Sequence, residues 1–338
     1  MRLNWIDYLK AVGIFLVVYG HAIGVIPVVE KWIFSFHMPL FFLVSGFLIK
    51  PEHLEHGFKS FFIKTTKALI PPYIIFAVAF YLFWFLVGRQ IGQDAGLATD
   101  LISPFLAILY GTGSHNTMQL NPIVLWFFPC LYMTHLMIYF IVHKKLSVTF
   151  AISVVLLTIG FLIPKNVALP FEFEEALVAQ FFVVLGFVAN RDKIMEYVGR
   201  HQPYIWGALL VGIGTLVGLW NGRVDMRSSN YGNFIYFLCS SISITFGLAL
   251  LFYKLPRFKF AELLSKNTIL IFPMHFFVYS CFEFLYIHIL NNLAIRENPM
   301  VAFLSSIVNC LIILAVLPLF RKYFPWTYGI KETVKGKR

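Results

Sequence analysis

Long apolar runs recur along the whole chain and constrain its fold more than any other feature. Runs of 17 or more residues follow one another, and each could cross a hydrocarbon core roughly 30 Å thick. The composition is 59% hydrophobic and 13% charged, against about a quarter charged in ordinary soluble domains. Backbone amides in lipid need partners within their own segment unless a barrel closes, and the alternating pattern of a barrel is absent. The sequence therefore predicts an all-α integral membrane protein.

We predict a single membrane domain over residues 1–338, with about ten transmembrane helices. No soluble domain, low-complexity linker or internal repeat separates the apolar runs. The sixth predicted span is the shortest. The predicted spans cover residues 8–26, 33–49, 69–88, 123–142, 147–163, 177–190, 204–220, 232–253, 268–287 and 301–320.

The lysine and arginine distribution predicts the orientation. With the N-terminus inside, 21 of the 27 basic residues fall on the cytoplasmic side, where such residues accumulate in membrane proteins. Both termini are therefore predicted to be cytoplasmic. The net charge of +11 is then a consequence of topology and of contact with anionic lipid headgroups. Nucleic-acid binding is excluded, because it needs a soluble basic surface with base-reading elements.

Ionisable residues inside spans are few and are the first candidates for function. Eleven positions separate Lys10 from His21, which at about 100° per residue places both on one face of the first helix, about 16 Å apart along its axis. Asp7, three residues before Lys10, shares that face. The alternative is structural, with Lys10 reaching the inner interface and His21 bonded to a neighbouring helix. We favour a functional polar stripe through the membrane.

His37 begins the second predicted span at a depth similar to that of His21. Two histidines facing one cavity could bind a metal or divide a proton-transfer task. Because no third ligand has useful spacing, catalysis is favoured over a metal site. A structural role for His37, capping the helix beside Pro39, is the competing interpretation. His135 and His288 belong to no motif and are interpreted as structural.

Five segments in chain order resemble the membrane acyltransferase 3 family, especially its fucose 4-O-acetylase-like and polysaccharide O-acetyltransferase branch. The family's mark is a basic residue, ten intervening positions and a histidine, as in Lys10 and His21. The matching segments are residues 5–10 with 20–21, 36–42 with 45–46, Lys64 and Lys67 with 71–73, 125–128, and 265–268 with 274–275. Together they extend over essentially the whole chain.

The resemblance implies a ten-helix bacterial inner-membrane enzyme that transfers an acyl group, commonly acetyl from acetyl-CoA, to a hydroxyl of a glycan or lipid-linked saccharide on the outer side. Acetyl-CoA would be a co-substrate, and no permanently bound cofactor or metal is expected. The acyl group, acceptor sugar and position stay open. Whether the chain forms a homo-oligomer is also left open.

Each candidate residue has a predicted role. Lys10, Lys64 and Lys67 lie near the predicted inner mouth, where the coenzyme A phosphates need basic partners. His21, with His37 and Asp7 as further catalytic candidates, is the predicted base for the acceptor hydroxyl or a nucleophile that carries the acyl group. The predicted substrate-binding residues are Trp126, Ser45, His275 and Glu283, the last paired with a His or Lys.

Two other functions compete with acyl transfer. Intramembrane Lys, His and Glu residues could form a proton relay in a transporter that exports a small acid or sugar, although no inverted repeat supports this. An inactive scaffold is disfavoured by the spacing from Lys10 to His21.

Overall fold

The structure is a computed structural model that describes residues 3–88, 101–112, 123–142 and 144–324, without the side chains of His53 and Ile123. Within these ranges the regular structure is helical, apart from one isolated antiparallel bridge between Asp225 and Asn230. This confirms the all-helical prediction.

The α-helices of the described chain range from four to 26 residues in length. In chain order they are α1 (Asn4–Gly20), α2 (Pro27–Phe34), α3 (His37–Leu48), α4 (Glu52–Glu55), α5 (Phe58–Phe83), α6 (Ile102–Tyr110), α7 (Phe127–Ile141), α8 (Leu146–Leu162), α9 (Phe173–Arg191), α10 (Ile194–Arg200), α11 (Pro203–Trp220), α12 (Phe234–Phe252), α13 (Lys259–Lys266), α14 (Thr268–Phe284), α15 (Leu293–Arg296) and α16 (Pro299–Tyr323). The 3₁₀ turns Ile123–Trp126 and Pro170–Glu172 precede α7 and α9, and a third covers Met226–Ser228; π-helical turns extend α5 and α14 over Trp84–Gly88 and Leu285–Ile289.

Helices occupy part or all of each predicted span. In the described chain, seven helical stretches are long and apolar enough to cross a membrane, and α1, α8 and α9 are not among them. The number of crossings and the orientation of the termini therefore stay predictions. The seven are Pro27–Leu48, Phe58–Gly88, Val124–Ile141, Pro203–Trp220, Phe234–Phe252, Thr268–Ile289 and Pro299–Tyr323.

The ends of the first two predicted spans differ from the observed helices. Helix α1 ends at Gly20, six residues early, and the chain turns at Gly24, whose φ is +88°. A Cβ at Gly24 would also approach the Glu297 backbone to 2.8 Å. The second span is broken between α2 and α3, at Ser35 and Phe36. As a result, two histidines lie at helix ends rather than within helices.

Helices α3 and α9 cross at the centre of the bundle with their backbones in contact. Two glycines allow this approach: a Cβ at Gly46 would overlap the carbonyl of Val183, and a Cβ at Gly186 would overlap that of Leu43. Such contacts between small residues are the usual means by which membrane helices approach closely. Helix α9 is buried along most of its length, although its sequence predicts the shortest span.

The remaining helices surround this pair. Helix α1 packs against α3, α12, α13, α14 and α16, and Gly13 accommodates Leu40 and Phe41 of α3. Helix α11 lies along α12, with Gly207 against the carbonyl of Gly247. Helix α5 packs on α7. The arrangement surrounds α3 with protein and leaves α11 exposed on most of its surface.

We expect Gly186→Val to destabilise the protein, because the added side chain would force α9 away from Leu43 of α3. Overpacking of this kind destabilises by about 1–3 kcal/mol. The measurement is the thermal unfolding midpoint of the purified protein in detergent.

Gly212→Val is the matched control, since a Cβ at Gly212 of α11 would meet nothing within 4 Å. It should melt as the wild type does. Equal midpoints for the two variants would contradict the close crossing of α3 and α9.

Candidate active site

A large cavity opens near the end of the bundle where α1 begins, and we call it the basic cavity. Its volume is about 1150 Å³, above the roughly 300–1,000 Å³ typical of small-molecule sites. Its walls come from α1, α3, α5, α7 and α14, and are mostly apolar. Its basic side chains are Lys10, Lys59, Lys64 and Lys67. The structure thus brings together the three lysines that the sequence predicts for donor binding.

Local sequence places these lysines on one wall. Lys64 and Lys67 are three positions apart in the first half of α5 and so face the same side of the helix. Helix α5 begins at Phe58, eleven residues before the predicted span, which makes Lys59 part of the same helix. Lys10 faces them from α1. The cavity therefore combines a cationic mouth with an apolar interior.

A smaller pocket of about 240 Å³ lies toward the opposite end of α1, and we call it the histidine pocket. His21 and His37 both line it, with Trp126 from the turn before α7. The two imidazoles lie on either side of Phe34, whose ring centroid is 5.8 Å from that of His21 and 4.9 Å from that of His37. The structure thus brings His21 and His37 to the same pocket.

The same type of local hydrogen bond orients each imidazole. His21 Nδ1 lies 2.8 Å from the carbonyl of Val17, and His37 Nδ1 lies 2.8 Å from that of Ile33, each four residues earlier. A carbonyl can only accept a hydrogen bond, so Nδ1 carries the proton and donates it. Each Nε2 is then an unprotonated base in the neutral ring. The bond of His37 also occupies a carbonyl at the end of α2, in agreement with its structural interpretation.

His275 lies beside the pocket on α14. Its ring centroid is 5.2 Å from that of His21, and its Nδ1 lies 3.3 Å from the carbonyl of Ile271. Its backbone carbonyl accepts a hydrogen bond from Asn309 of α16. Its buried Nε2 has no hydrogen-bond partner in the described chain. His275 therefore packs against the candidate base, and its predicted role in substrate binding stays a prediction.

Charged residues from the loop between α11 and α12 complete the histidine pocket, and sequence reasoning did not single them out. The loop over residues 221–233 contributes Arg223, Asp225 and Arg227. Arg223 pairs with Glu30 of α2 at 3.2 Å, and Arg227 with Asp225 at 3.7 Å. Three charged residues in a short connection between apolar helices are the sequence feature that could have identified them.

One aromatic residue belongs to the lining of both cavities. Among the described residues, Phe272 alone lines both the basic cavity and the histidine pocket. Its ring centroid is 5.1 Å from that of Phe127 and 5.9 Å from that of Phe128. Pro273 follows it and has no N–H to offer the preceding turn of α14, which weakens the helix locally.

Three predicted site residues lie outside the histidine pocket. Asp7 is buried near the start of α1 and accepts a hydrogen bond of 2.7 Å from Ser265, so the structure does not bring it to His21. Glu283 accepts one of 2.6 Å from Arg296, a partner other than the predicted His or Lys. Ser45 lines the basic cavity rather than the side on which acceptor binding is predicted.

His135, which the sequence analysis interprets as structural, lies in the basic cavity. Its Nε2 is 2.5 Å from the hydroxyl of Ser45, which joins α7 to α3. No motif marks it, and the contact joins residues ninety positions apart. His135 and Ser45 therefore form a hydrogen-bonded polar pair in the wall of the basic cavity.

Comparison with known proteins agrees with this architecture. The model of the acyltransferase 3 family, described as an acyltransferase domain, matches residues 3–318. No curated protein and no solved structure matches the chain. The match includes α1, with Lys10 and the residue His21 that follows it, and extends into α16. The chain belongs to the acyltransferase 3 family.

Proposed function

We propose that the protein is a multi-pass enzyme of a bacterial inner membrane that transfers an acyl group, most simply acetyl, from cytoplasmic acyl-CoA to a hydroxyl of a glycan or lipid-linked saccharide. The observation that carries the proposal is the bond from His21 Nδ1 to the carbonyl of Val17. It leaves Nε2 unprotonated in a pocket that shares the lining residue Phe272 with a lysine-lined cavity.

His21 acts on the acceptor hydroxyl in this scheme. Its Nε2 takes the hydroxyl proton while the oxygen bonds to the acyl carbonyl carbon. The carbon–sulfur bond breaks, and the coenzyme A thiolate recovers the proton from His21. A variant of the scheme has Nε2 attack the acyl group first and pass it on. Both need the neutral, Nδ1-protonated ring that the bond to Val17 favours.

The two cavities suit the two substrates. Coenzyme A carries several phosphate charges, for which Lys10, Lys64 and Lys67 offer partners. The histidine pocket presents the rim charges Glu30 and Asp225 together with the Trp126 ring, a combination of polar and aromatic groups suited to a saccharide. These features support a donor at the basic cavity and an acceptor at the histidine pocket.

Transport is an alternative function, and one specific observation favours it. Two cavities toward opposite ends of one bundle, with Phe272 in the lining of both, resemble the two sides of an alternating-access pathway. A transporter would move its substrate without forming or breaking a covalent bond. Incubation of the purified protein with labelled acetyl-CoA and a glycan acceptor distinguishes the two, because only an acyltransferase gives a labelled glycan.

We expect His21→Ala to lower acyl transfer by about 10²–10⁴-fold, the usual contribution of a positioned acid or base. The measurement is label transfer from acyl-CoA to the glycan by purified protein. His288→Ala is the control, since His288 is exposed on the π-helical turn after α14. Full activity in a folded His21→Ala variant would show that His21 is not the base or nucleophile.

We expect the double variant Lys64→Gln, Lys67→Gln to raise KM for acyl-CoA about 2–30-fold at unchanged kcat. Exposed charges of this kind contribute about 0.2–1 kcal/mol each. The effect should shrink at high salt, which screens exposed charges. Lys145→Gln, at an exposed position before α8, is the control. An unchanged KM would place the donor phosphates elsewhere.

We expect Phe272→Ala to increase hydrolysis of acyl-CoA without acceptor. Phe272 lines both the basic cavity and the histidine pocket, so removal of its ring should open a path by which water reaches the thioester. The measurement is release of free coenzyme A, with Phe272→Leu as the variant that retains most of the bulk. A hydrolysis rate in Phe272→Ala equal to that of the wild type would show that another group separates the cavities.

A further inference from the structure

Three buried carboxylates meet at the start of α9, away from both cavities. Glu172, Glu174 and Glu175 are 0%, 1% and 0% exposed. One carboxylate oxygen from each lies within 4.8 Å of the others. The three precede the predicted span over residues 177–190, and none lines the basic cavity or the histidine pocket. The proposed acyl transfer therefore does not account for them.

Three ionised carboxylates this close together repel one another unless protons or positive charges offset them. Two carboxylates about 4.8 Å apart repel by roughly 3–4 kcal/mol at an effective dielectric constant of 20. Burial raises the pKa of Glu175, and the charges of Glu172 and Glu174 raise it further, while the hydrogen bond from Ser229 opposes them. Bound protons or a bound cation would relieve this repulsion.

A buried tyrosine lies beside the three glutamates, and its hydroxyl has no hydrogen-bond partner in the described chain. This residue, Tyr231, is 2% exposed. Burial and the adjacent charge of Glu175 raise the pKa of this hydroxyl. Ser229, which donates a hydrogen bond of 2.9 Å to Glu175, lies two residues earlier. A buried phenol beside Glu175, whose Oε2 also has no hydrogen-bond partner in the described chain, indicates that a ligand belongs here.

We propose that Glu172, Glu174 and Glu175 bind a calcium ion. Calcium takes oxygen ligands at about 2.3–2.6 Å, so two of its ligands can be up to about 4.6–5.2 Å apart. The three carboxylate oxygens, all within 4.8 Å of one another, are therefore close enough to share one calcium ion. Magnesium, at about 2.0–2.1 Å, allows only about 4.0–4.2 Å. Three carboxylates offer up to six oxygens, and the Tyr231 hydroxyl is a further one.

The ion would connect α9 to the loop over the histidine pocket. Ser229 and Tyr231 belong to the same 221–233 loop as Arg223, Asp225 and Arg227, which line that pocket. A calcium ion beside Glu175 would hold this loop against the buried helix α9. The site is thus structural, and it does not depend on the reaction proposed for His21.

The test measures calcium directly on the full-length protein in detergent. Protein exposed to calcium and then desalted should retain one calcium ion per chain by elemental analysis. At a free calcium concentration ten times the dissociation constant, trypsin should cleave after Arg223 about tenfold more slowly than in EGTA. Arg223 lies in the loop that the ion would connect to α9. Magnesium at the same concentration should protect less. Terbium bound in place of calcium should give luminescence excited through Tyr231.

Glu175→Gln should abolish calcium retention, and Glu297→Gln, at an exposed position, should preserve it. Wild-type protein that retains no calcium, and whose cleavage rate is the same in calcium and EGTA, would overturn the proposal. So would calcium retention by both Glu175→Gln and Glu172→Gln. If the variants fail to fold, the terbium signal of the wild type decides: its absence would overturn the proposal, and its displacement by calcium would support it.

Discussion

The contact between the backbones of α3 and α9 determines where the other parts of the molecule lie. Gly46 and Gly186 let each helix approach the carbonyl groups of the other, a distance that any side chain would prevent. Helix α3 is then fixed at the centre, with His37 at its first position and Ser45 near its last turn. One short helix therefore contributes to both cavities, and the other helices pack around it.

In the histidine pocket, a local hydrogen bond determines which imidazole nitrogen carries the proton. Each imidazole donates from Nδ1 to a carbonyl one helical turn earlier, so its reactive nitrogen is set by its own helix. The surrounding charges, in contrast, come from the distant 221–233 loop. The tautomer of each imidazole therefore depends on residues close to it in sequence, and the charges around it depend on a loop from a distant part of the chain.

Much of the candidate site could be predicted from the sequence, and the errors have a common cause. Lys10, His21 and His37 are placed by helical periodicity and by short connections, and the structure assigns them to the predicted cavities. Asp7 was grouped with His21 because it shares a helical face, yet Ser265 of α13 bonds to it at the other end of α1. Periodicity gives the face of a residue, but not the neighbour that it meets.

The sequence by itself determined the helical membrane fold, the family and the helix that carries the candidate base, because hydropathy and motif spacing are properties of adjacent residues. Only the tertiary structure decided that His135 meets Ser45, that Phe272 lines both cavities and that the 221–233 loop lies in the same pocket as His21. These contacts join residues tens to hundreds of positions apart. They depend on where α1 ends, on the break between α2 and α3, and on how closely two glycines let helices approach, none of which hydropathy encodes.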